Sequence, residues 1–149
     1  MNTTEKEMVV FAKANGSNKS ATGKPKSMKG IPHELGSTGL GVYHATLIGM
    51  KHRGLSNKAS IAIEGFGNVG EYTAKYLIEN GFNVVAVSDS KGVIFNNKGF
   101  NFDKLKKVKE KTGSVVNYGG GKVYSSSEII NLKTDILIIH RDGEEILRN

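Results

Sequence analysis

The chain has 149 residues, 38% hydrophobic and 23% charged, with 19 glycines, two prolines and neither Cys nor Trp. That length suits one ordinary domain with its own core, and without Cys there is no disulfide framework, thiolate metal site or Cys nucleophile. Lys and Arg outnumber Asp and Glu for a net charge of +7, which suits an anionic ligand, a nucleic acid or plain solubility.

Thr4 and Glu7 have capping-box spacing, so a short helix is predicted from Glu5 with Met8, Phe11 and Ala12 on one face. Residues 15–37 show no period and are rich in Gly, Ser and Lys; a loop that long in a compact domain is usually functional or mobile. Ser37 reads as the N-cap of a helix to Arg53, with Leu40, Tyr43, Leu47 and Met50 as its buried stripe and Gly54 as its stop. Ser60–Glu64 is a short strand leading into Gly65. A helix follows with Val69, Tyr72, Thr73, Tyr76 and Leu77 inward, closed by Asn80-Gly81, and then a buried strand from Asn83 to Ser88. Such a strand–helix–strand unit has parallel strands.

Farther on, Val93-Ile-Phe95 with a turn at Asn96-Asn97 reads as a small hairpin. Asp103 caps a lysine-rich helix to Thr112, with Leu105 and Val108 inward and Gly113 as its stop. Ser125 and Glu128 form a second capping box, ahead of Ile129 and Ile130. Asp135–Ile139 is the kind of apolar run found in strands buried on both faces, and a polar nonapeptide from Arg141 follows it. The predicted class is α/β: an incomplete, Rossmann-type, doubly wound parallel sheet with flanking helices over 37–149, preceded by a helix and Gly/Ser/Lys-rich loop over 1–36.

Gly65-Phe-Gly67-Asn-Val-Gly70 is a G-x-G-x-x-G pattern between a predicted strand and a predicted helix, and Asp89 lies 19 residues beyond its last glycine. A dinucleotide site expects an acid about 20 residues on. Gly65 permits a tight turn, Gly67 lets a diphosphate reach the backbone, and Gly70 lets helix and sheet pack closely. The amides near Asn68 and Val69, with the helix dipole, supply an anion site. Asp89 would accept hydrogen bonds from the adenosine ribose.

Four runs, Ala21-Thr-Gly-Lys-Pro25, Ser37-Thr-Gly-Leu-Gly-Val42, Ala62-Ile-Glu-Gly-Phe-Gly-Asn-Val-Gly70 and Val85-Ala-Val-Ser-Asp-Ser-Lys-Gly92, together resemble the coenzyme domain of the glutamate/leucine/phenylalanine/valine dehydrogenase family, the glutamate dehydrogenases above all. The resemblance continues through Asp103-Lys-Leu105 to Asp135-Ile-Leu-Ile138. It implies an NAD- or NADP-binding part of an oxidoreductase that reversibly deaminates an L-amino acid, with Thr38 placed against the nicotinamide carboxamide and Asn68 touching the coenzyme. It places Ser88, Asp89, Ser90 and Lys91 in the segment that selects between NAD and NADP. An acid repels a 2′-phosphate and Lys91 attracts one; the acid weights the expectation towards NAD. With Gly65, Phe66, Gly67, Val69 and Gly70, these are the candidate cofactor-binding residues.

The chain also departs from the family. Lys29-Gly-Ile-Pro-His33-Glu34 stands where the family has Gly-Gly-Ser-x-Gly-Arg, putting Glu34 in place of a base, and Ile139-His140-Arg141 stands for Pro-Ala-Ala. Met1-Asn2-Thr3 resembles the family segment just after the catalytic aspartate. The resemblance therefore implies that this aspartate, the substrate domain with its catalytic lysine, and the later strands lie outside this chain. The expectation is a chain with no catalytic residue of its own, unable alone to oxidise glutamate, and a homo-oligomer or the partner of a companion chain bearing the missing parts. In doubly wound order the strand from Asp135 pairs with that from Ser60 and becomes an apolar edge.

Rival readings carry less. His33, His44, His52 and His140 have no metal-ligand spacing. Thr22-Gly-Lys24 and Gly119-Gly-Gly-Lys122 fail the P-loop spacing. The helix with Lys104, Lys106, Lys107, Lys109 and Lys111 could meet nucleic acid, but no aromatics interleave for stacking, and a solvated face is the simpler reading. A non-catalytic dinucleotide sensor and a degenerate chain that binds nothing remain as alternatives. No stretch reaches the about 20 apolar residues of a membrane span and there is no leader pattern, so a soluble, cytoplasmic protein is expected, with chance sequons at Asn2 and Asn18.

Overall fold

The computed structural model describes residues 4–31 and 36–140, which cluster into two compact units divided between Thr38 and Gly39. The first holds helix α1 (Glu5–Ala14), started by the expected reciprocal capping box of Thr4 and Glu7. Ala12 is buried, but Phe11 is mostly exposed and so lies off the inward face expected of it. Beyond α1 the loop is ordered by one 3-10 turn (Lys26–Met28) and by the buried Lys24, whose ammonium donates to the Ala21 carbonyl.

The second unit is a five-stranded sheet with helices: α2 (Ser37–His52, which starts in the first unit), β1 (Ser60–Glu64), α3 (Asn68–Glu79), β2 (Asn83–Asp89), β3 (Gly92–Phe95), α4 (Phe102–Thr112), β4 (Lys122–Tyr124) and β5 (Ile136–Ile139). Strand order is β4-β3-β2-β1-β5. The Rossmann-type centre is present: β1 lies parallel to β2 on one side and to β5 on the other. The sheet is nevertheless mixed, because β3 runs antiparallel to β2 and β4 antiparallel to β3. The reversal lies at Ser90-Lys91, between the paired Asp89 and Gly92, and not at Asn96-Asn97. The latter turn, held by Gly99 N on the Asn96 carbonyl and Lys98 N on Asn96 Oδ1, delivers the chain to α4.

One face of the sheet packs Ile61, Ile63, Val84 and Val87 with Leu77 of α3, Met50 of α2 and Leu105 of α4. The other carries Ala62, Ala86 and Val93, covered chiefly by Ile129 of the 3-10 turn Ser126–Asn131. The Ser125–Glu128 capping box that starts this turn forms as expected, while Ile130 points outward. Leu77, fully buried, is worth about 2–5 kcal/mol against truncation to Ala.

Helix boundaries differ from the sequence reading at two places. Ser37 is the first helical residue of α2 and not its cap, and Leu40 is 37% exposed because the inward face runs through Gly39, Tyr43 and Met50. A Cβ at Gly39 would come within 2.6 Å of Tyr72 Cβ, so α2 approaches α3 through that glycine. Asn101, not Asp103, caps α4, its Oδ1 accepting from Lys104 N at 2.9 Å. Gly113 ends α4 in the left-handed region as expected. Among the described residues no helix is long and apolar enough to cross a membrane, and no His, Asp or Glu group is spaced to hold a metal.

Candidate functional site

A cleft of about 460 Å³ opens at the carboxyl ends of the parallel strands β1, β2 and β5. Ligands of open α/β sheets bind at that edge. Six of the residues singled out from sequence line it: Gly65, Phe66, Gly67, Ser88, Asp89 and Ser90. Glu64, Lys109, Ser126 and His140 complete the lining.

The three glycines have separable reasons to be glycine. Gly65 sits at φ +91°, a region disfavoured for other residues. A Cβ on Gly70 would run into the Gly65 carbonyl oxygen, so the start of α3 packs directly on the end of β1. Gly67 is the N-cap of α3 at φ −94°, an unstrained conformation, and a Cβ there would meet nothing within 4 Å. Neither backbone strain nor packing within the chain requires a glycine at 67. Its bare α-carbon faces the cleft, where the second glycine of a dinucleotide loop admits the diphosphate. The residues present fit such a group. Asn68 and Val69 form the first turn of α3, where the helix dipole favours an anion.

Around the turn, Gly65 N donates to Ser88 Oγ at 3.1 Å, tying the glycine loop to β2. Phe66 is buried in the core cluster while also lining the cleft, so it anchors the loop.

Asp89 is differently placed from the free acid expected. All four acceptor positions of its carboxylate are taken. Oδ1 accepts from Lys91 N (2.9 Å) and Ser114 Oγ (3.0 Å), and Oδ2 accepts from Lys109 Nζ (2.7 Å) and Val115 N (2.8 Å). Its side chain is 5% exposed and that of Lys109 27%. Burial pushes the carboxyl up, but the bonds from Lys109, Val115, Lys91 and Ser114 together outweigh it and hold the group below its ordinary value. The ribose-accepting role read from sequence requires free lone pairs, and the protein itself fills them.

Sequence spacing alone does not mark His140 as a site residue. Its backbone N donates to the Glu64 carbonyl at 2.9 Å, continuing the β5 ladder. Its ring lies over the glycine loop, Nε2 3.5 Å from Thr73 Oγ1 and Cδ2 3.5 Å from where a Gly70 Cβ would be. Burial lowers its imidazole pKa. The signal was topological: the residue after a strand parallel to β1 must arrive at the same edge as Gly65. Lys109 carries no local signal, since it reaches Asp89 from α4, 20 residues farther along the chain. Lys91 is exposed in the hairpin turn. Thr38, second residue of α2, belongs to the first unit. The expectations for Met1–Thr3, for His33 and Glu34, and for the segment from Arg141 fall outside the described residues.

Of the five α4 lysines, Lys106 pairs with Glu71 at 2.7 Å, Lys109 with Asp89, and Lys104 lies 4.6 Å from the centre of the Tyr118 ring. Three of them therefore serve contacts within the protein.

The family model for glutamate/leucine/phenylalanine/valine dehydrogenases matches residues 30–146. A glutamate dehydrogenase of Aeropyrum pernix is 43% identical over 118 residues, 78% of this chain and 28% of that protein. An NADP-specific glutamate dehydrogenase of Saccharolobus shibatae is 42% identical over 120 residues, with the same coverage of each. Among solved structures, glutamate dehydrogenase from Peptoniphilus asaccharolyticus superposes with a TM-score of 0.66 at 27% identity, covering 95% of this chain and 34% of that one. The hetero-hexameric glutamate dehydrogenase from Thermus thermophilus shares the fold, with a TM-score of 0.70 at 24% identity over 93% of this chain and 34% of that one. The chain thus spans about three tenths of the length of the curated relatives it matches. On this match, the chain belongs to the glutamate/leucine/phenylalanine/valine dehydrogenase family.

Proposed function

We propose that this chain is the coenzyme-binding part of a glutamate dehydrogenase-type oxidoreductase, taking NAD or NADP in the cleft at the carboxyl ends of β1, β2 and β5. The observation that carries this reading is the bare, unobstructed α-carbon of Gly67 at the start of α3, inside that cleft. Gly65, Gly67, Asn68 and Val69 would hold the diphosphate, with Ser88, Ser90 and the residues around Asp89 towards the adenosine ribose.

When bound, the coenzyme supplies the hydride acceptor. The chain's own part is to bind and orient it. Amino-acid oxidation further needs an amine base and a carboxylate shuttle beside the substrate. The lysine lining the cleft, Lys109, holds its ammonium on Asp89 and cannot serve as that base. Catalysis is therefore assigned to a complete assembly in which sequence beyond these 149 residues, on the same or a companion polypeptide, supplies the substrate half. Several features support such an assembly: relatives nearly three times as long, a hetero-hexameric neighbour, and the edge strand β5. An apolar groove of about 640 Å³ runs beside that strand, lined by Val42, Thr46 and Met50 of α2 and by Ile136 and Leu137. Lack of Cys fits a reducing compartment such as the cytoplasm.

Isothermal titration of the chain with NAD and NADP tests the reading. Binding of at least one, lost on Gly67→Val without loss of fold, is the expected result; absence of both heats overturns it.

A further inference from the structure

We infer that Lys109 makes this cleft select a dinucleotide whose adenosine ribose carries a phosphate, NADP over NAD. This rests on the dinucleotide reading above and goes beyond it, reversing the preference expected from Asp89 as a free acid.

A carboxylate at the end of the second strand favours NAD for two reasons. It accepts hydrogen bonds from the ribose hydroxyls, and its charge repels a 2′-phosphate. Both effects are suppressed here. The lone pairs are filled by Lys109 Nζ, Ser114 Oγ and the amides of Lys91 and Val115. The charge is countered at 2.7 Å by an ammonium that itself lines the cleft. Lys109 is the partly exposed member of the pair, and an ammonium has three donors, of which Asp89 takes one.

A second cation stands nearby. Lys91 leaves the hairpin turn beside Asp89 and brings its ammonium to Gly113, 3.7 Å from where a Cβ would be. Lys91 stands outside the cleft lining, where Lys109 is the lysine beside Asp89 and the other acid, Glu64, lies at the β1 end. Ser90 and Ser126 also line the cleft, so hydroxyl donors are at hand for phosphate oxygens. A cleft so arranged loses little by giving up a bare ribose hydroxyl and gains charge-assisted bonds from a phosphate. Lys109 thus acts twice, by neutralising the acid and by facing the ligand.

The test is titration calorimetry of the full chain with 2′,5′-ADP and with 5′-ADP, which differ in that phosphate and involve no turnover. The wild type is expected to bind 2′,5′-ADP at least about tenfold more tightly, the scale of one charged hydrogen bond. Lys109→Met should bring the ratio to near one, in part by freeing Asp89 for the ribose and so improving 5′-ADP. Lys109→Arg should keep the phosphate preference. Equal or tighter 5′-ADP binding by the wild type, or an unchanged ratio in a folded Lys109→Met, overturns the assignment while leaving a dinucleotide site standing. Binding of neither nucleotide overturns the dinucleotide reading, and this one with it. The wild-type comparison is decisive even if the Met variant does not fold.

Discussion

Gly70 packs its α-carbon against the carbonyl oxygen of Gly65, closer than any Cβ could come, while Gly67 between them faces open space. Structure and ligand thus make different demands on one motif. Gly70→Ala forces β1 and α3 apart and is expected to cost about 1–3 kcal/mol or more, read as a fall in Tm. Gly67→Ala should stay within about 1 kcal/mol of wild type, a poorer N-cap offsetting reduced freedom of the unfolded chain. It should nonetheless weaken dinucleotide binding. A large stability loss at Gly67, or none at Gly70, would contradict this division.

Asp135 holds Ser60 by both its amide and its hydroxyl, each 2.7 Å from Oδ2, across 75 residues of sequence. These bonds keep the carboxyl below its ordinary value. Asp135→Ala should lower Tm and increase hydrogen exchange in β5, the strand whose entry it fastens. In acid the wild type should approach the variant, because protonation removes the acceptor that the substitution removes.

Two groups shape the acid limb of stability. The Asp89 carboxyl is depressed in the folded state, so its contribution is complete above the unfolded value of about 3.9 and is lost as pH falls through the lower folded value. His140 is also depressed, by burial, so its neutral ring supports folding above about pH 6.5 and that support declines as pH drops below it. Urea melts between pH 7 and pH 3 should show a shallow decline followed by a steeper one. His140→Gln should remove part of the first and Asp89→Asn part of the second. At neutral pH Asp89→Asn should cost about 1–3 kcal/mol, since an amide cannot satisfy four donors. A flat profile in the wild type would count against both assignments.

The purified chain, free of other dehydrogenases, should not reduce NAD or NADP in the presence of glutamate. Light scattering should show self-association at high concentration, or a defined complex once a polypeptide bearing the substrate half is supplied, with deamination appearing only in that complex. Turnover by the isolated chain, or a monodisperse monomer indifferent to such a partner, would be the contrary outcome.

Much of this architecture is legible locally. The Thr4–Glu7 and Ser125–Glu128 boxes, the glycine turn and the Gly113 stop are settled by residues within three or four positions of one another. The parallel pairing of β1 with β2 and β5 follows from the crossover. What escaped reading depends on distant partners. Lys122-Val-Tyr124 has no apolar alternation and becomes β4 only because β3 offers it an edge. Asp103 and Asn101 are both acceptable caps, and the choice of Asn101 sets where α4 begins. Asp89 looked like a free acid because Lys109, Ser114 and Val115, which occupy it, lie 20 to 26 residues away.

β5 is fastened at entry by Asp135 on Ser60 and at exit by His140 N on the Glu64 carbonyl, yet its last residue, Ile139, is 44% exposed. The outer rim of the sheet is therefore already aligned before any other polypeptide arrives. An incoming strand meets a finished template and need not wait for this one to order itself. Assembly should accordingly be limited by encounter, with a rate that climbs in proportion to the amount of companion added and shows no lag.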